Sequence, residues 1–151
     1  MTSATRTRRP RLALITVWGA LAVLVACGGQ ELEPAADITL VTSQPRGPED
    51  LHMDALWSGV VSENSGCVVV TGGGDVAILV APDGSEVGRD EDGTLFLVVA
   101  GEAYPFDEKY GGGGFHLSDL PANPDALPGA KECVSATGAT ELTVIYDIEP
   151  A

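Results

Sequence analysis

The feature that most constrains the fold is a series of short, valine-rich segments, separated by glycine, proline and aspartate, from residue 56 onward. Short apolar runs bounded by turn residues are typical of β-strands. Six segments are expected to be strands: residues 57–62, 67–71, 76–81, 94–100, 103–106 and 141–148. The sequence therefore predicts an all-β domain over residues 55–151, a small barrel or a sandwich of about six strands.

Helical signals are weak in the same region. No stretch after residue 54 shows a sustained helical period with capping residues. A short helix over residues 117–127 is the alternative, but Pro121, Pro124 and Pro128 favour an irregular segment there. We therefore expect strands and loops to make up the domain.

The first 26 residues have the pattern of an export signal. Four arginines lie within the first eleven positions, and the fifteen residues Leu12–Ala26 then carry no charge. A helix of that length is about 22 Å long, which is shorter than the ~30 Å hydrocarbon core of a bilayer. A basic leader, a short apolar segment and a small final residue predict a cleaved signal peptide. A buried N-terminal helix is the alternative interpretation.

The end of this segment, Leu24-Val25-Ala26-Cys27, resembles the lipobox of bacterial lipoprotein signal peptides. The resemblance implies that the Cys27 thiol receives a diacylglyceryl group and that cleavage falls between Ala26 and Cys27. It also implies acylation of the new amino terminus by a fatty acid such as palmitate. Since two or more acyl chains on one residue anchor a protein stably, we expect a membrane-anchored protein on the extracytoplasmic face of the cell membrane. The export route, Sec or Tat, stays open, as does the alternative of an unmodified Cys27.

Residues 28–54 have the composition of a flexible linker. Prolines, adjacent glycines and scattered acidic residues leave little periodicity apart from residues 38–41. A random coil of about 27 residues spans roughly 30 Å, enough to hold a small domain away from a membrane. The alternative is that residues 39–42 pair as an additional edge strand.

Two cysteines remain in the mature domain, Cys67 and Cys133. An even pair in an exported protein predicts a disulfide. Closing a loop of 66 positions stabilises a fold by about 4 kcal/mol on the loop-entropy scale. A reactive or metal-binding thiol pair is the alternative, although neither cysteine has CxxC spacing or a neighbouring histidine.

The order of turn residues after residue 55 carries a second resemblance. Gly66-Cys67 opens a strand, Pro82 follows an apolar strand, Gly111–Gly114 form a glycine cluster, and Cys133 precedes the closing strand. This order is similar to that of small exported proteins and lipoproteins of actinobacterial type, many of uncharacterised function. The resemblance implies a compact OB-like barrel and assigns no activity.

The charge of the mature chain limits its partners. Cleavage before Cys27 leaves four basic and twenty-two acidic residues, a formal net charge of −18. A negative field of this size repels nucleic-acid phosphates and anionic lipid surfaces. We therefore expect no nucleic-acid partner, and either a basic protein partner or another ligand of the cell envelope. We expect a monomer.

One acidic turn has the composition of a calcium loop. Residues 90–93 read Asp-Glu-Asp-Gly, and oxygen-rich turns suit Ca²⁺, which takes six to eight hard ligands. The later acidic ligand of an EF-hand is missing, and Asp-Gly is also a favoured turn before a strand. Asp90 and Asp92 are thus weak metal candidates, and a plain turn is the favoured interpretation.

The other candidates each have a simpler explanation. The glycine clusters at 72–74 and 111–114 have neither a following helix nor a lysine within them, so tight hairpins or close backbone approach explain them better than phosphate binding. His116 with Asp119 is the nearest approach to an acid–base or metal site. Trp57 is expected in the core rather than on a ligand platform.

These observations predict a lipid-anchored envelope protein with a non-catalytic binding or structural β domain and no cofactor. The alternative is a secreted, calcium-binding or otherwise metal-dependent protein, or a hydrolase, that uses the acidic turns or His116.

Overall fold

The computed structural model describes residues 31–43, 55–119 and 127–151, and it confirms the all-β class. One short helix, α1 (Ala130–Thr137), accompanies the strands in these ranges. The strands are β1 (Glu33–Pro34), β2 (Val41–Ser43), β3 (Ala55–Asn64), β4 (Cys67–Gly72), β5 (Asp75–Pro82), β6 (Glu86–Arg89), β7 (Leu95–Val99), β8 (Glu102–Pro105), β9 (Glu108–Leu117), β10 (Glu141–Ile145) and β11 (Glu149–Pro150).

The strands form two sheets. The smaller has the order β1-β6-β7-β8, and all its neighbours are antiparallel. In the larger sheet, β3, β4 and β5 form a meander, and β9 pairs with the free side of β3. Strand β10 lies parallel to β5 and antiparallel to β9, so ladder pairs connect these five strands in a circuit.

Two core clusters explain the continuous apolar runs. In β4, Val68 and Val70 belong to the cluster between the two sheets, whereas Val69 belongs to the cluster beneath α1. Strand β5 alternates in the same way, with Leu79 in the first cluster and Ile78 in the second. Strands buried on both faces need apolar side chains at every position.

The disulfide between Cys67 and Cys133 is confirmed, with the Cα atoms 5.7 Å apart. It joins the start of β4 to α1, and the Cys133 side chain is fully buried in the second cluster. The bond therefore holds α1 against the larger sheet, where few large apolar side chains of the helix contribute to packing.

Helix α1 was not predicted, because it is too short to show a helical period. It has eight residues, of which Ala130 and Cys133 are buried. Gly129 and Gly138, both left-handed, flank it, and the Gly138 N–H closes the last turn on the Val134 carbonyl. The alternative helix over residues 117–127 is not formed at Leu117, which ends β9, and residues 120–126 lie outside the described ranges.

Part of the predicted linker is ordered against the domain, and β2 at Val41–Ser43 overlaps the additional strand considered at residues 39–42. Val41 is 1% exposed, and β2 runs parallel to the end of β5, where Val41 faces Val80. The Thr39 N–H donates to the Gly66 carbonyl at 2.7 Å, next to the start of β4. The N-terminal segment thus lies along both β4 and β5. Residues 44–54 lie outside the described ranges.

Strands β6 and β9 were missed because their sequences have no apolar run, and the two-residue strands β1 and β11 were missed as well. Strand β6 is Glu-Val-Gly-Arg, and β9 contains four consecutive glycines. The four glycines of β9 have no side chains to pack, but their backbone pairs with β3 on one side and with β10 and β11 on the other.

Candidate functional site

Ala26 and Cys27, the predicted cleavage and lipidation positions, lie outside the described residues. Within residues 31–43, 55–119 and 127–151, no helix is long and apolar enough to cross a membrane. The signal peptide and the anchor therefore stay predictions from the sequence.

The acidic turn at residues 90–93 is closed by hydrogen bonds within the chain. The Asp90 carboxylate oxygen Oδ1 accepts hydrogen bonds from the backbone N–H groups of Asp92, at 3.0 Å, and Thr94, at 2.8 Å. Gly93 takes a positive φ of 86° and donates its N–H to the Asp90 carbonyl. An aspartate side chain that accepts from its own turn stabilises that turn. The Asp90 oxygen is thus engaged by the chain itself.

His116 meets residues of β10 rather than its sequence neighbour Asp119. Its Nδ1 atom lies 3.1 Å from Thr143 Oγ1 and 4.0 Å from Glu141 Oε1. In a nucleophile–histidine–acid relay, the hydroxyl and the acid contact different ring nitrogens. Here both approach the same nitrogen, and Thr143 is 1% exposed. This cluster has the geometry of a strand-to-strand polar contact and lacks that of a relay.

Trp57 is a core residue, as expected, and it marks the most crowded junction of the larger sheet. It is 2% exposed, and its Nε1–H donates to the Asp147 carbonyl at 3.3 Å. The Asp147 carboxylate accepts from the Gly113 N–H. A Cβ at Gly112 would collide with Asp147, and one at Gly114 would collide with the Val144 carbonyl. The cluster at 111–114 therefore serves close backbone approach, one of the two roles expected of it.

The glycines at 72–74 form a tight hairpin between β4 and β5. Gly73 and Gly74 both have positive φ, and no atom lies near where their Cβ would be. Two such residues are the usual connection of a two-residue hairpin. A phosphate-binding loop would be followed by the N-terminus of a helix, whereas strand β5 follows these glycines.

The described surface is strongly acidic. Eighteen acidic side chains and three basic ones lie in the described ranges. Arg89 lies 2.9 Å from Asp37 and contacts both of its oxygens. These hydrogen bonds lower the pKa of Asp37 and raise that of Arg89. Within the described ranges, no group of three or more histidine, cysteine, aspartate or glutamate residues is arranged to hold a metal ion.

A tyrosine pair lies where the two sheets meet. The Tyr104 and Tyr110 rings pack edge to face with centroids 5.7 Å apart. The Tyr104 hydroxyl donates to Glu102 at 2.8 Å, and this bond raises the pKa of Tyr104 to about 12. The Tyr110 hydroxyl donates to the Pro105 carbonyl, and burial raises the pKa of Tyr110.

Sequence reasoning missed Asp147, Glu141 and Asp37 as partners of Trp57, His116 and Arg89. Each pair is separated by at least 25 positions and is brought together by strand register. Neither residue of any pair belongs to a local motif, so no signal in one sequence could have found them.

Comparisons with known proteins found no matching family model, no similar curated protein and no similar solved structure.

Proposed function

We propose that this chain is a lipid-anchored protein of the cell envelope, whose β domain is a non-catalytic binding or structural module on the extracytoplasmic face. The observation that carries the proposal is Leu24-Val25-Ala26-Cys27 at the end of a charge-free segment of fifteen residues. A thiol placed where an apolar helix meets water is accessible to enzymes that work at the membrane face.

The oxidised cysteine pair supports the export step. Disulfides persist outside the reducing cytosol, and Cys67 and Cys133 are bonded and buried. The same pair leaves Cys27 as the one remaining cysteine of the chain, free to receive the lipid.

The non-catalytic role is supported by how the reactive side chains are used. Asp90 accepts from the backbone of its own turn, and Thr143 is buried against His116. A catalytic group must reach its substrate, and these polar atoms serve contacts within the fold. The excess of acidic residues favours a basic protein partner, whose association would weaken as salt screens the charges.

The test of the anchor is the intact mass of the full chain expressed in a bacterium that processes lipoproteins. The expected product begins at Cys27 and carries diacylglyceryl and acyl groups. The Cys27→Ser variant should lose both the added mass and membrane association. The double variant Cys67→Ser, Cys133→Ser keeps Cys27 and should keep the lipid. A bare Cys27 thiol with residues 1–26 still attached would refute the anchor.

The test of the domain's role is its melting temperature with calcium, zinc or a chelator. We expect no shift at millimolar metal, since the Asp90 oxygen is already engaged. A saturable rise that Asp90→Asn and Asp92→Asn abolish would instead favour the metal-dependent alternative. Binding to a basic peptide that does not change with salt would count against the charged-partner interpretation.

A further inference from the structure

The described body of the protein begins almost immediately after the proposed anchor. Glu33 pairs with Arg89 and Pro34 with Gly88, so β1 is the edge of the smaller sheet. The Ala35 N–H donates to the Val87 carbonyl at 2.9 Å, and Ala35 is 5% exposed. From β1 onward the chain is therefore fixed to the domain.

Chain length then limits how far the domain can stand from the membrane. Glu33 follows Cys27 by six positions. A fully extended chain advances at most about 3.6 Å per residue, so Glu33 lies within roughly 22 Å of the lipidated residue whatever its path. A free linker over residues 28–54 would reach roughly 95 Å when extended.

Strand β6 and the turn that follows it lie beside β1. We define the β1–β6 end as β1 together with Gly88 and Arg89 of β6 and the turn at residues 90–93. Arg89 pairs with Asp37, and the Asp37 carbonyl lies 3.6 Å from where a Cβ of Gly66 would be. Gly66 precedes β4, so the β1–β6 end lies beside the start of that strand.

The opposite end of the same strands is the hairpin between β4 and β5. Strand β4 runs from Cys67 to Gly72, and Gly72 pairs with Asp75. Five steps along a strand cover about 17 Å. Glu141 pairs with Ala77, so its contact with His116 also lies toward this far end.

We propose that the β1–β6 end faces the phospholipid headgroups, within about 22 Å of the anchor, and that the β4–β5 hairpin points away from the bilayer. The inference rests on the proposed lipid anchor and adds the orientation of the domain. Glu33 and Glu91 are exposed at this end. The negative charge of these side chains does not attract anionic lipids. What holds this end near the bilayer is therefore the short connection to Cys27. The far end is then the surface that a partner in the envelope can reach.

The experiment measures energy transfer from single labelled cysteines to an acceptor-labelled lipid in phosphatidylcholine vesicles. The full-length chain is processed in a bacterial host and reconstituted with its lipid. Glu91→Cys places the label at the β1–β6 end, and Asp75→Cys places it at the far hairpin. The two sites are a matched pair because both are exposed and both lose one negative charge. The native cysteines do not react with the label, since Cys27 carries the lipid and the other two are bonded.

Because the two ends of the strands are about 17 Å apart, transfer from position 91 should exceed that from position 75 by about twofold or more. A twenty-residue glycine–serine insertion between Gly29 and Gln30 should remove the difference, because the domain can then rotate freely. Should Glu91→Cys prevent disulfide formation, Asp92→Cys replaces it at the same turn.

The outcomes separate the orientation from the anchor. Equal transfer, or greater transfer from position 75, in protein that carries the lipid and floats with the vesicles would overturn the orientation and leave the anchor intact. Protein without added lipid mass would overturn the anchor, and the orientation with it.

Discussion

Truncating Val41 tests whether the N-terminal segment belongs to the fold. Val41 is 1% exposed, and it packs with Cys67 and Val80 in the cluster beneath α1. Val41→Ala removes two methyl groups, which costs about 1.6 kcal/mol in transfer free energy. The cavity that remains raises the expected loss to about 2 to 3 kcal/mol.

The assay is urea unfolding of the soluble chain from residue 28, followed by tryptophan fluorescence. Trp57 is the sole tryptophan in that chain and lies in the core. A loss of 2 to 3 kcal/mol should lower the unfolding midpoint by about 1 M urea and the melting temperature by roughly 10 °C.

The matched control is Thr42→Ala, the next residue of β2, whose side chain is partly exposed. It should change the free energy of unfolding by less than about 1 kcal/mol. A linker would tolerate both substitutions equally. If the Val41→Ala midpoint equals that of the wild type, residues 31–43 are not part of the cooperative unit and the reasoning fails.

Three further perturbations have defined outcomes. Replacing Cys67 and Cys133 by alanine should lower the free energy of unfolding by about 4 kcal/mol, read from urea midpoints, because the bond closes a loop of 66 positions. Gly114→Ala should destabilise by about 1 to 3 kcal/mol in the same assay, because the new Cβ would collide with the Val144 carbonyl. The phenolate absorbance of Tyr104 should appear near pH 12, and Glu102→Ala should lower that midpoint by removing the carboxylate that accepts a hydrogen bond from the phenol hydroxyl.

The controls for these three are close at hand. Gly113→Ala is the control for the glycine substitution, since its Cβ would have no contact under 3.4 Å, and equal loss at both positions would refute the crowding argument. Reductant should destabilise the wild type but leave the alanine pair unchanged. Tyr104→Phe should remove the transition near pH 12; if that transition persists, it belongs to another tyrosine.

The sign of the Tyr104 effect follows from its raised pKa. The fold favours the neutral phenol, so its contribution to stability is complete below the ordinary pKa of 10. That contribution is lost as the pH rises from 10 through about 12.

Some strands and one hairpin could be predicted because their sequence signals lie within a few consecutive residues. The runs at 67–71 and 76–81 are apolar at nearly every position, since both faces of β4 and β5 are buried, and they were assigned correctly. The hairpin at Gly73 and Gly74 also followed from residue type, because positive φ favours glycine.

Strands β2 and β9 could not be predicted with the same ease, because their pairing depends on residues that are distant in the sequence. Nothing in the sequence of Val41–Ser43 indicates that β4 and β5 leave room for a third strand beside them. The glycines of β9 indicate a strand only when the nearby Trp57 and Asp147 are known.

The sequence by itself determined the strand-forming segments, the acidic surface and, through cysteine number, the disulfide, because each depends on residue type or on spacing along the chain. Tertiary structure alone decided which strands pair, that residues 31–43 belong to the body, and that His116 meets Glu141 instead of Asp119. Those outcomes depend on register, and a shift of one residue would turn every side chain to the opposite face. Register is set by burial over the whole sheet, which no local pattern contains.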